Sequence, residues 1–112
     1  MPVKIMATEQ RITAFLEGDI DHHSAPEIRN EIDDAIQMYK PKVLKLDYSD
    51  VTFMDSSGVG LVMGRYRTLS PFGGKIIVSN LSHSVFKIMK LAGIEKIAKI
   101  SQKEDNNDAN NK

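Results

Sequence analysis

Three features of the 112-residue chain predict a single α/β domain in which one sheet is layered with helices. Apolar residues recur first with a period of two and then with a period near 3.6, and the two patterns alternate along the chain. The resulting order is ββαβαβα with room for one last strand, the order of a sheet layered with helices. The length suits one domain, and a hydrophobic content of 41% supplies one modest core.

Each element has its own signal. Residues 3–8 (VKIMAT) and 11–17 (RITAFLE) alternate, with Val3, Ile5 and Ala7 on one side of the first and Ile12, Ala14 and Leu16 on one side of the second. The short polar connection at Glu9 and Gln10 predicts an antiparallel pair. GDIDHHSAPE (18–27) is rich in turn formers and is expected to be a loop. A helix follows from near Ser24, with Glu27 at capping-box spacing, Pro26 in the first turn and an apolar stripe of Ile28, Ile32, Ala35, Ile36 and Tyr39. It stops before Pro41.

KVLKLDY (42–48) reads as a strand with Leu44, Leu46 and Tyr48 on one face, and residues 49–55 as a loop. The next helix is expected to be N-capped by Ser56 and to bury Val59, Val62, Met63, Tyr66 and Leu69, ending at Pro71. KIIVSN (75–80) has the continuous β-branched character of a buried central strand. A third helix from about Ser84 carries Val85, Ile88, Met89 and Ala92 on one face, with Gly93 as the residue after its end and Ile94 placed for the accompanying apolar contact. Lys96 to Ile100 is a candidate edge strand. From Ser101 onward SQKEDNNDANNK offers one Ala and no larger apolar side chain, so the domain is expected to span 1–100 and a disordered polar tail 101–112.

Composition narrows the function classes. Lys plus Arg and Asp plus Glu both total 15, and no basic cluster is long enough to follow a phosphate backbone, so nucleic acid is not an expected partner. The absence of Cys removes disulfides and thiolate metal sites. No window approaches the roughly 18 apolar residues of a membrane span. MPVKIMATEQ lacks the apolar run of a signal peptide, so the expectation is a cytoplasmic protein with no membrane partner.

The segment FMDSSGVGLVMGRY (53–66) draws attention because two serines follow an aspartate and open a glycine-spaced helix. Its glycines at 58, 60 and 64 give G-x-G-x-x-x-G, with Met63 where a dinucleotide fingerprint needs its third glycine. A P-loop is excluded because no Lys lies between Lys45 and Lys75. A nucleophile elbow, G-x-S-x-G, is absent, since Met54 and Asp55 stand two residues before Ser56 and Ser57. Asp19, Asp21, His22, His23 and Asp55 have no recognised ligand spacing, and adjacent histidines seldom point the same way, so neither metal nor cofactor is expected. Two readings then account for the serines. One is an ordinary cap whose helix uses glycines for packing on the sheet. The other is a hydroxyl that takes a phosphoryl group at a helix N-terminus, on a surface that Gly58 and Gly60 keep bare for a partner's backbone.

GDIDHHSA at 18–25 followed by FMDSSGVGLVMGRY resembles the anti-sigma factor antagonists of the STAS domain family, and most of all the sporulation type that acts on the anti-sigma F factor. The resemblance covers roughly residues 3–100. It implies a mixed β-sheet of four to five strands with helices packed largely on one face. It also implies a non-enzymatic protein that binds an anti-sigma factor serine kinase and so releases the sigma factor. Phosphorylation ends the binding, and a serine phosphatase restores it. The family's phosphosite maps onto Ser56, the next serine onto Ser57, and the acidic loop residue onto Asp21. Asp21, Asp55, Ser56, Ser57 and Gly58 are thus the expected partner-binding residues. The family's closing amphipathic helix has no counterpart in SQKEDNNDANNK. A STAS-like interaction module of a stress-signalling scaffold is the alternative that the resemblance leaves.

Overall fold

The computed structural model describes residues 2–104. The elements are β1 (Val3–Ala7), β2 (Arg11–Ile20), α1 (Ala25–Tyr39), β3 (Val43–Met54), α2 (Ser56–Leu69), β4 (Lys75–Leu81), α3 (His83–Leu91) and β5 (Ala98–Gln102), with 3₁₀ turns at Ser70–Phe72 and Ile94–Lys96. The five strands form one sheet in the order β1-β2-β3-β4-β5. β1 runs antiparallel to β2, and each of the other neighbouring pairs is parallel. Three successive crossovers join adjacent parallel strands, and the right-handed sense usual for such connections puts α1, α2 and α3 on one face.

Burial follows that arrangement. Ile12, Ala14 and Leu16 of β2, Leu44, Leu46 and Tyr48 of β3, and Ile76 and Val78 of β4 are buried beneath the helices. Thr13, Phe15, Lys45 and Ile77, which alternate with them, keep part of their surface exposed. From above, α1 contributes Ile28, Ile32, Ala35 and Ile36, α2 Leu61, Val62 and Leu69, and α3 Val85 and Met89. The Tyr48 ring is fully enclosed and its hydroxyl has no hydrogen-bond partner among the described residues, so burial pushes its ionisation well above the ordinary tyrosine range.

Several boundaries differ from the sequence reading, each for a physical reason. β2 continues through Gly18 and Asp19 to Ile20, because Gly18 takes φ +78° at a register irregularity and the strand resumes beyond it. β3 likewise continues through residues expected to form a loop, and Ile20 pairs with Met54 at the far end of the ladder. Thr52 Oγ1 donates to Asp19 Oδ1 at 2.8 Å across this extension. The buried stripe of α2 is Gly58, Leu61, Val62, Arg65 and Leu69, one position round from the expected Val59, Met63 and Tyr66. An arginine inside the stripe concealed it from an apolar count: Arg65 Nε lies 2.9 Å from Asp33 Oδ1 of α1, an ion pair without the alignment of a hydrogen bond. Tyr39, Tyr66, Ile88 and Ala92, all placed in the core by periodicity, keep exposed surface.

α3 starts earlier than Ser84, because the Ser82 hydroxyl caps it by accepting from Val85 N–H at 3.3 Å. Gly93 follows its end at φ +81°, and Ile94 is fully buried, as the spacing predicts. β5 includes Ser101 and Gln102, the first two residues of the expected tail. The remainder of that stretch from residue 105 lies outside the described residues.

Candidate functional site

Parallel strands deliver their C-terminal ends to one edge of the layer, and the two longest strands, β2 and β3, end side by side. The Asp55 N–H donates to the Ile20 carbonyl at 3.0 Å, so the strand-to-helix loop before α1 and the one before α2 touch. Asp21 and Ser56 therefore stand at the same end of the sheet, as their shared strand-to-helix context predicts. Each loop contains an aspartate followed by a serine, and the two use them differently.

In the first loop, Asp21 Oδ1 accepts from the backbone N–H groups of His23 at 2.9 Å and Ser24 at 3.0 Å. The Ser24 hydroxyl donates to the Asp19 carbonyl at 2.8 Å and accepts from the Asp21 N–H at 3.1 Å. The Ala25 N–H closes the turn on the Asp21 carbonyl at 2.8 Å. Ser24 does occupy the residue before α1, but with helical dihedrals and no side-chain cap bond, so the capping box with Glu27 does not form. Of the two N–H groups such a box would satisfy, the Asp21 carboxylate, three residues earlier, takes that of Ser24. The Ser24 N–H, and then that of His23 with the nearby imidazoles, holds the Asp21 carboxyl below the ordinary carboxylate range. The His22 and His23 rings lie 4.1 Å apart and tilted by 37°, so these neighbours do pack on each other, contrary to the expectation for adjacent histidines. Among the described residues no three His, Asp or Glu side chains converge to hold a metal ion.

In the second loop, Asp55 is the N-cap of α2. Its dihedrals are extended and its Oδ1 accepts from the Ser57 N–H at 2.8 Å. The expected cap, Ser56, is the first helical residue. Its side chain is exposed and makes no hydrogen bond among the described residues, while Ser57 is half-buried. Position 56 thus presents a hydroxyl that the fold does not use, at the positive end of a helix of 14 residues.

Of the two roles the sequence leaves open for Gly58, packing on the sheet is the one the structure shows, not a bare outer surface. It is buried, and a Cβ at that position would run into the Met54 side chain. Its bareness serves the packing of α2 on the end of β3. Gly60 is exposed with nothing within 4 Å of the corresponding point, so it does leave the helix surface bare. Phe53, which the sequence reading left without a role, is 52% exposed beside the loop and supplies apolar surface there.

A family model described as the STAS domain matches residues 5–107. The chain belongs to the STAS domain family. It is 34% identical over 91 residues to an anti-sigma F factor antagonist of Paenibacillus polymyxa, covering 81% of this chain and 78% of that one. To an anti-sigma-B factor antagonist of Listeria monocytogenes it is 29% identical over 103 residues, covering 89% and 87%. Among solved structures, the unphosphorylated anti-sigma factor antagonist SpoIIAA superposes with a TM-score of 0.78 at 32% identity, over 96% of this chain and 94% of that one. SpoIIAA in its phosphorylated form superposes at 0.70 and 31%, over 96% and 97%. This STAS domain accordingly has the mixed five-stranded sheet and three helices of SpoIIAA, and its relatives are regulators that antagonise anti-sigma factors.

Proposed function

We propose that this STAS domain is a phosphorylation-switched anti-sigma factor antagonist acting in the cytoplasm. The unmodified chain binds an anti-sigma factor that is also a serine kinase, and the sigma factor is released. The kinase transfers the γ-phosphoryl group of ATP to Ser56, binding ends, and a serine phosphatase restores the hydroxyl. In this cycle the chain is a substrate and a ligand, and the catalysis belongs to its partners.

One observation carries the reading. Ser56 is exposed, without a hydrogen bond among the described residues and placed at the first turn of α2, in a chain similar to a protein solved with and without phosphate. The helix dipole and the N–H groups of that turn tolerate a phosphoryl group, so modification leaves the fold intact. It adds roughly 1.5 to 2 negative charges beside Asp55, and a partner docked over the loop meets both repulsion and bulk. Asp21 on the neighbouring loop is accessible to a basic group of the kinase, although its carboxylate also braces its own turn. Incubation with an anti-sigma kinase and ATP, followed by residue-level mass spectrometry, tests the assignment. Phosphate on Ser56 is expected, and phosphate on Ser57 or another hydroxyl overturns it. Similarity to both anti-sigma F and anti-sigma-B factor antagonists makes kinases of both kinds the proper test partners.

A further inference from the structure

Beside the phosphosite, α1 and α2 enclose a groove of about 230 Å³ whose lining includes Arg29, Ser57, Gly60, Gly64, Arg65 and Arg67. Three guanidinium groups gather there against one carboxylate. Asp33 pairs with Arg65, which is itself buried, and among the described residues Arg29 and Arg67 have no acidic side chain within ion-pair distance. Both are exposed, one on each wall. They are close enough for their charge to add to burial in pushing the Arg65 pKa down, with Asp33 opposing. A like-charged group of this kind gains from an added anion and loses without one.

The spacing along α2 gives the groove its shape. Ser57, Gly60, Gly64 and Arg67 recur at i, i+3, i+7 and i+10, a stripe on the side turned away from the sheet. Nothing lies within 4 Å of the point where Gly60 or Gly64 would carry a Cβ, so a partner's backbone can settle on that stripe. The remaining walls, Ala25 and Leu61, offer no aromatic or broad apolar surface on which a nucleotide base could stack. Carboxylate is the planar anion that a guanidinium fork matches in two parallel hydrogen bonds.

We infer that the groove between α1 and α2 receives an acidic side chain of the partner kinase, held by Arg29 and Arg67 over the Gly60 and Gly64 floor. This rests on the reading of the chain as a kinase-binding antagonist. It adds a second route for the switch: Ser57 lines the groove, so a dianion on the adjacent Ser56 lowers the positive potential that attracts the acidic residue.

The test measures kinase affinity of the full chain for wild type, Arg29→Gln, Arg67→Gln and the double charge reversal Arg29→Glu with Arg67→Glu, at low and moderate salt, together with thermal midpoints. Wild-type binding that phosphorylation abolishes establishes the antagonist reading by itself. Given that, the single variants are expected to lose affinity several-fold and the double reversal roughly tenfold or more, with a flatter salt dependence and an unchanged midpoint. Affinity of the folded double reversal within about twofold of wild type overturns the groove assignment while leaving the antagonist reading in place. Inorganic phosphate and ATP, titrated into the antagonist alone, form the second arm. Saturable binding that Arg29→Gln abolishes makes the groove a phosphate site and overturns the acidic side chain as its occupant. Failure of the wild type to bind any anti-sigma kinase removes both readings.

Discussion

The loops entering α1 and α2 contain the same pair of residue types and end in opposite states. In the first, Asp21 and Ser24 spend their polar atoms on each other's backbone and on Asp19, and the serine hydroxyl is occupied on both its donor and acceptor sides. In the second, Asp55 caps the helix, and the serine that follows it makes no hydrogen bond among the described residues. The difference lies in which residue supplies the cap. When a carboxylate caps, the hydroxyl next to it is left without that role. A serine that a kinase can reach, then phosphorylate without unfolding the chain, is one whose loss costs the fold little.

The strongest way to break this comparison is to delete each hydroxyl in turn. Ser56→Ala is expected to abolish phosphate incorporation entirely while changing stability by less than about 0.5 kcal/mol, the range of an ordinary surface substitution. Ser24→Ala is expected to remain a full kinase substrate and to lose about 1 kcal/mol, the net value of hydrogen bonds in a turn. Radiolabel transfer and denaturant unfolding on the two variants read both effects, and a reversed pattern would end the comparison. Next in size is the effect of charge. Ser56→Asp is expected to weaken kinase binding about tenfold relative to wild type, less than a phosphoryl group does, because one carboxylate carries roughly half its charge. Calorimetric titration should rank affinity from unmodified through Ser56→Asp to phosphorylated protein, the weakest binder.

Smaller changes sharpen the account of α2 itself. Gly60→Ala is expected to stabilise by up to about 1 kcal/mol, since the methyl enters open space on a helix. Gly58→Ala is expected to destabilise despite the same gain in helix propensity, because the buried Met54 must move at a cost of about 1 to 3 kcal/mol. Equal thermal shifts for the two would show that Gly58 is not a packing residue. Asp55→Ala should cost about 0.5 to 2 kcal/mol as the loss of an N-cap.

The smallest effect concerns pH. Asp21 has a folded pKa below its ordinary 3.8, so its charge-dependent contribution is complete above that value and is lost as pH falls through the lower, folded pKa. The unfolding midpoint of wild type should therefore drop more steeply than that of Asp21→Asn as pH falls below about 4. Parallel curves would mean that the brace does not depend on the carboxylate's charge. A loss of kinase affinity in the folded Asp21→Asn protein, shrinking with salt, would give this residue a contact role beyond its turn.

The order of strands and helices and the antiparallel first pair were legible in the residues, because periodicity and turn formers are local properties. The mixed sheet and the choice of Ser56 came instead from the resemblance carried by the D-H-H-S-A and D-S-S-G motifs. Alternation in RITAFLE and KVLKLDY, the pair Gly93 and Ile94, and the D-S-S-G block each act over a few residues, and no distant contact reverses them. What tertiary structure alone decided involves partners far apart in the chain. The cap passed from Ser56 to Asp55 once Asp55 was anchored on Ile20, and β2 and β3 ran on through turn-forming residues because each found the other as a ladder partner. The stripe of α2 turned by one position because Asp33 made it possible to bury Arg65. Gly58 became a packing residue because Met54 fills the space where a side chain would have been. Periodicity counts apolar residues, whereas a fold buries whatever its neighbours can satisfy, and only the assembled layers reveal which charges and glycines those are.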